Sequence, residues 1–167
     1  MNYEKYILLL VLCLLSFNSK AQNAEIDSLE DLLLNYKKDD TIRIQLLNQT
    51  AYKLYQIDAD KTFRYAEEAG KLSDSINFPI GKAESLRLKG IWYLLRGNYS
   101  FALENFQNSL EIAQELNDMY LISKAYNNLG LVYSFYEDYV KELGYYQKSL
   151  KIAEELGDAE GMSICLG

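Results

Sequence analysis

Residues 90–118 read GIWYLLRGNYSFALENFQNSLEIAQELND, and residues 130–158 read GLVYSFYEDYVKELGYYQKSLKIAEELGD. Displaced by 40 positions, the first stretch lays Gly90 on Gly130, Tyr93 on Tyr133, Tyr99 on Tyr139 and Leu103 on Leu143. Ser109 falls on Ser149, Ala113 on Ala153, Leu116 on Leu156 and Asp118 on Asp158. Within each copy the apolar residues recur every three or four positions, the period of a helix with one buried face. A copied pair of helices cannot hide its apolar face alone, so the pattern predicts a stack in which neighbours cover one another. The mid-helix glycines sharpen the expectation. Glycine costs about 1 kcal/mol against alanine inside a helix, so its recurrence implies helices close enough for a methyl group to clash.

Working outward, three units follow: about 41–79, 80–119 and 120–159, with a partial unit at 160–167. The expected pairs are Thr41–Gln56 with Asp60–Ile76, Ile80–Arg96 with Tyr99–Leu116, and Tyr120–Tyr136 with Tyr139–Leu156. Asn98 and Asp138 read as caps of second helices, while Asp118 and Asp158 fall in the connections between units. Pro79 precedes a first helix, where its missing N–H is harmless. Unit one aligns at 39 positions in its first helix, with Ala51 opposite Gly90, and at 40 in its second; a turn one residue different near Ile57–Ala59 accounts for this. Before the units, residues 22–40 supply a capping helix with Ile26, Leu29, Leu32, Leu33 and Tyr36 as its stripe, and Asp40 can cap the helix that follows.

Residues 1–21 read as an export signal. Lys5 and the amino terminus precede the apolar run Tyr6–Phe17, and Ser19 and Ala21 place small residues at −3 and −1 before Gln22. The run is shorter than the ~20 apolar residues of a membrane span, though an uncleaved anchor is the competing reading. Cleavage would leave a periplasmic or secreted chain with no segment inserted in the membrane. The formal net charge is −7, with no cluster of Lys and Arg, which argues against nucleic acid as partner. With no histidine in the chain, a Ser-His-Asp triad, an imidazole base and a histidine metal ligand are all excluded. Of the two cysteines, Cys13 lies in the signal, leaving Cys165 as a small apolar residue. Glu67–Glu68 and Glu154–Glu155 are adjacent on helices and diverge by about 100°, so no carboxylate pair converges for catalysis. No cofactor or metal is expected.

The units resemble tetratricopeptide repeats in a forty-residue form ending in an ELGD-type signature, here Glu115-Leu116-Asn117-Asp118 and Glu155-Leu156-Gly157-Asp158. Leu86, Gly90 and Tyr93 answer the family's bulky–glycine–aromatic pattern, as do Tyr126, Gly130 and Tyr133. Ala102, Phe106 and Ser109 match the second-helix pattern, whereas unit three has Glu142 for the small residue. Unit one departs further, with Ala51 and Ala66 in place of glycine and aromatic. The resemblance implies an all-α, right-handed α-solenoid of antiparallel helix pairs, with a concave groove lined by first helices.

In that frame the groove positions are Asn48, Gln49 and Tyr52, then Arg87, Leu88 and Ile91, then Asn127, Asn128 and Leu131. Asn amides suit a peptide backbone and Arg87 a carboxylate. Ile91 and Leu131 stand where the carboxylate clamp of some family members needs Asn. The expected function is non-catalytic: an exported scaffold holding a protein or peptide. The alternative is the sensory region of a membrane-bound signalling protein such as a histidine kinase or regulator. That version would need a membrane helix and an effector beyond Gly167.

Overall fold

A computed structural model describes residues 23–166, which form helices and turns with no strand among them. The expected export signal lies outside the described residues. The chain divides into two compact units, one ending at Lys37 and one beginning at Lys38. In the first, α1 (23–35) buries Ile26, Leu29 and Leu33, but Leu32 is 51% exposed and off the stripe expected for it. Tyr36, expected as part of that helix, lies just past it and donates its N–H to the Leu32 carbonyl at 2.8 Å.

The second unit is the stack: α2 (Thr41–Leu54) with α3 (Ala59–Ile76), α4 (Pro79–Leu95) with α5 (Tyr99–Glu115), and α6 (Met119–Phe135) with α7 (Tyr139–Leu156). A last short helix, α8 (Ala159–Leu166), begins the next unit. The turns repeat more strictly than the helices. Asn77, Gly97, Asn117, Glu137 and Gly157 all take the left-handed conformation, 20 residues apart. After each, an N–H reaches back five residues to the helix end, as from Asn98 to Tyr93 and from Asp118 to Ala113, a Schellman closure. The turn after α2 has no left-handed residue and closes instead on Leu54. Helix α2 ends three residues past Ala51 where α4 ends five past Gly90, and the four-residue connection that follows makes up only one of the two, which shifts unit one from 40 to 39.

Aspartates start α2, α3, α6, α7 and α8. Asp40 accepts from the N–H groups of Ile42 and Arg43 at 3.0 and 3.1 Å, and Asp58 from Lys61 at 2.9 Å. Asp138 accepts from Lys141 at 3.2 Å. Asp118 and Asp158, read from sequence as connectors, are caps too, accepting from Leu121 at 3.0 Å and Gly161 at 3.1 Å. Asn98 corrects the expectation in the other direction: it occupies the cap position of α5 but its side chain makes no capping bond.

Each unit is locked by one close contact. A methyl group on Gly90 would lie 2.4 Å from Cε1 of Phe106, and one on Gly130 would lie 2.8 Å from the ring of Tyr146. The glycines therefore make room for a ring on the paired helix. Unit one solves the same problem with Ala51 against Ala66, both fully buried with Leu88. Ser109 and Ser149 seal the next contact along. The Ser109 hydroxyl donates to the Ala83 carbonyl at 2.7 Å, and that of Ser149 to the Ser123 carbonyl at 2.8 Å.

Candidate functional site

The first helices touch one another in succession, α2 with α4, α4 with α6 and α6 with α8. Among the described residues the second helices α3, α5 and α7 make no such contacts. Like helices converge on the inner side of a curved stack, so the first helices line the concave face.

On that face a cleft of about 380 Å³ spans three units. Gln45, Asn48, Gln49 and Tyr52 of α2 form one wall; Phe78, Ile80, Gly81 and Glu84 form its floor at the start of α4. Tyr120, Leu121 and Lys124 of α6 close the far side. Ile80 and Tyr120 are nearly half exposed, 45% and 46%, which is unusual outlay of apolar surface in so small a space. The Lys124 ammonium sits 4.2 Å from the centre of the Tyr120 ring. No hydrogen-bonding or ion-pair partner fixes it among the described residues.

Arg87 stands behind this cleft, 5% exposed. Its Nε and Nη2 donate to the two carboxylate oxygens of Glu84 at 2.9 and 2.6 Å, and its guanidinium lies 5.5 Å from the Tyr52 ring centre. Burial pushes the Glu84 carboxyl upward, but the charge and hydrogen bonds of Arg87, with Lys124 adding, prevail and hold it below the ordinary carboxylate value. Burial likewise opposes the charge on Arg87; Glu84 overcomes this and leaves the guanidinium still harder to deprotonate. The pair is a fixed part of the wall, so a carboxylate arriving in the cleft meets Lys124 rather than Arg87.

Asn48 is 6% exposed, and its amide donates to the Gly81 carbonyl at 3.0 Å, tying α2 to α4. Its Oδ1 is buried with no partner among the described residues, a cost of roughly 1–3 kcal/mol. Of the other groove residues expected from sequence, Tyr52 is in the cleft, and Ile91 packs between the core clusters around Ala51 and Phe106. Asn127 is half-buried, Asn128 is 8% exposed, and Leu131 lies 36% exposed farther along α6. None of these last four lines the cleft. Leu88 is fully buried and faces the core.

The residues missed include Ile80 and Tyr120 at the starts of α4 and α6, and the set Gln45, Glu84 and Lys124. Gln45, Glu84 and Lys124 occupy equivalent places, three residues before Asn48, Arg87 and Asn127, and so share a helix face with them. That spacing was the available signal. The sequence reading took the later turns of these helices, and the cleft extends over the earlier ones.

Residues 81–155 match the family model described as tetratricopeptide repeat. Over that segment the chain is built of tetratricopeptide repeats. A comparison with curated proteins found no match. Among solved structures, the chain is similar to a Rap protein crystallised in complex with competence and sporulation factor, at TM-score 0.79 and 21% identity. That match covers 90% of this chain and 43% of the Rap chain, so the tetratricopeptide stack here spans less than half of its neighbour's length. It is also similar to BtubC (BKLC) from P. vanneervenii, at TM-score 0.65 and 15% identity, over 87% of this chain and 72% of that one. At these identities the likeness is one of fold, and it agrees with a tetratricopeptide solenoid through the stack.

Proposed function

We propose that this tetratricopeptide protein is a non-catalytic scaffold that holds an extended segment of another protein or a peptide in the cleft across α2, α4 and α6. The observation that carries the reading is the cleft itself: half-exposed Tyr52, Ile80 and Tyr120 around one small space, with Lys124 at its rim. An apolar side chain fits between the rings, and an acidic residue beside it fits the ammonium. Burial of one such side chain contributes about 1.5–3 kcal/mol, so several neighbouring contacts along the groove are needed for micromolar affinity. The Rap neighbour, solved with a bound factor, supports a recognition role for the fold. Among the described residues no group of His, Cys, Asp and Glu is placed to hold a metal ion.

A random heptapeptide library panned against the purified protein tests the reading. Enriched sequences are expected to pair an aromatic or aliphatic residue with a nearby Asp or Glu. Tyr52→Ala should weaken their binding about tenfold, and Lys124→Glu should abolish the preference for acidic residues. Equal enrichment on wild type and both variants would remove the cleft as the site.

The reading also places the chain outside the cytoplasm, following the signal-like run from Tyr6 to Phe17 and the Ser19-Lys20-Ala21 site. Among the described residues no helix is long and apolar enough to cross a membrane. Mass spectrometry of the exported protein should find Gln22 at the amino terminus; a chain that retains Met1 would contradict export by cleavage.

A further inference from the structure

The wall that α2 gives the cleft is a row of carboxamides, and one of them is incomplete. Gln45, Asn48 and Gln49 all line it. Gln45 and Gln49 are exposed and make no hydrogen bond among the described residues. Asn48 is buried and held: its Nδ2 donates to the Gly81 carbonyl at 3.0 Å, while its Oδ1 has no partner. The side chain cannot turn over without breaking the bond to Gly81. Whatever completes Asn48 must therefore bring a hydrogen-bond donor.

That donor is a water or an N–H of the ligand. Oδ1 has almost no contact with solvent, so a donor reaches it only when a neighbouring side chain moves. Gln45 and Gln49 stand on the same wall, and swinging aside costs them no hydrogen bond among the described residues.

The spacing of the row fits an extended chain. Gln45 and Gln49 are four residues apart on α2, about 6 Å along its axis. Two residues of a β-strand rise about 6.7 Å, and every second residue turns both its N–H and its C=O to the same side. A strand lying lengthwise over the floor at the start of α4 therefore presents main-chain groups to α2 at nearly the pitch of its glutamines. Its side chains point at right angles to those groups, down onto Ile80 or up to solvent. Main chain and side chains meet different parts of the cleft.

We propose that α2 holds the main chain of the bound segment: one N–H donates to Asn48 Oδ1, and the Gln45 and Gln49 amides donate to carbonyls on either side of it. The segment is extended and runs parallel to α2, and these contacts are indifferent to its sequence. The proposal rests on the reading of the cleft as a peptide site. It adds the backbone conformation, the direction in which the segment lies, and a residue that demands an N–H. A buried acceptor left without its donor is costly, so loss of that one N–H from the ligand should weaken binding about tenfold or more.

Amide-to-ester replacement, made one position at a time along a heptapeptide enriched on the wild-type protein, reads the proposal by calorimetry. One ester should weaken binding about tenfold or more, while esters at the positions next to it have little effect. Against Asn48→Leu the same ester should cost nothing further. Gln45→Ala combined with Gln49→Ala changes only exposed residues, and it should weaken enriched peptides of unrelated sequence by one common factor. This pair and the ester scan decide the matter even where Asn48→Leu fails to fold. A peptide that binds the cleft yet tolerates every ester overturns the proposal, leaves the cleft standing as the site, and assigns Oδ1 to a water. An ester that costs as much against folded Asn48→Leu overturns it too, as does a glutamine pair variant that binds like the wild type. A library that enriches no cleft-dependent peptide overturns both this proposal and the reading of the cleft.

Discussion

Gly90→Ala will destabilise the wild-type stack by about 2 kcal/mol, and the same change made in a Phe106→Ala background will stabilise it by about 1 kcal/mol. In the wild type the new methyl group lies 2.4 Å from the Phe106 ring, and overpacking of this kind costs roughly 1–3 kcal/mol. Phe106 is fully buried, so Phe106→Ala alone leaves a cavity and costs about 3–5 kcal/mol. Once the ring is gone, the methyl group meets empty space, and alanine gains its helix advantage of about 1 kcal/mol over glycine. The double variant then reproduces the Ala51–Ala66 contact of unit one. Urea denaturation of the four proteins measures the cycle, with a coupling near 3 kcal/mol expected between touching residues. Additive effects would show that the glycine is not there to admit the ring. Gly130→Leu belongs to the same series and should cost a few kcal/mol against Tyr146.

The second large effect concerns Arg87. Arg87→Met should cost on the order of 3 kcal/mol at pH 7, the usual consequence of leaving a buried charge without its partner. The deficit should shrink on acidification. In the wild type the Glu84 carboxyl is held below its ordinary value. Its stabilising contribution is therefore complete above the unfolded carboxylate pKa, about 4.3, and is lost as pH falls through the depressed folded value. Without Arg87, burial outweighs the remaining Lys124 charge and raises the Glu84 pKa above the unfolded value. Protonation then relieves the variant while it weakens the wild type. Urea midpoints at pH 7 and pH 4 should converge, and a gap that stays constant would mean that the guanidinium acts through packing alone.

The repeat was legible because its strongest signals are local. Aspartate at 40 and 138 and the altered turn near Ile57 act within one helix end or one turn, where sequence and geometry are nearly the same statement, and Gly90 and Gly130, which act across a helix pair, recur at one fixed offset. Ala51 with Ala66 was harder to read. As departures from a pattern the two alanines look like weakness in unit one, yet they compensate each other across a helix pair. The cleft was only half legible. The resemblance to tetratricopeptide repeats assigned Asn48, Arg87 and Asn127 to the groove, but it could not show that Glu84 occupies the guanidinium or that Asn48 bonds the Gly81 carbonyl. Those outcomes depend on how far α4 leans on α2, a distance no spacing encodes. Leu88 was misplaced for the same reason: a helix face has edges, and tilt decides which edge residues turn inward.

The groove is tested most directly by amide chemical-shift mapping with one peptide enriched from the heptapeptide library, titrated into isotopically labelled protein. Shifts should concentrate on Asn48, Tyr52, Ile80, Gly81, Tyr120 and Lys124, leaving the second helices α3, α5 and α7 largely unmoved. Shifts centred on α3, α5 or α7, with α2, α4 and α6 unchanged, would contradict recognition on the concave face.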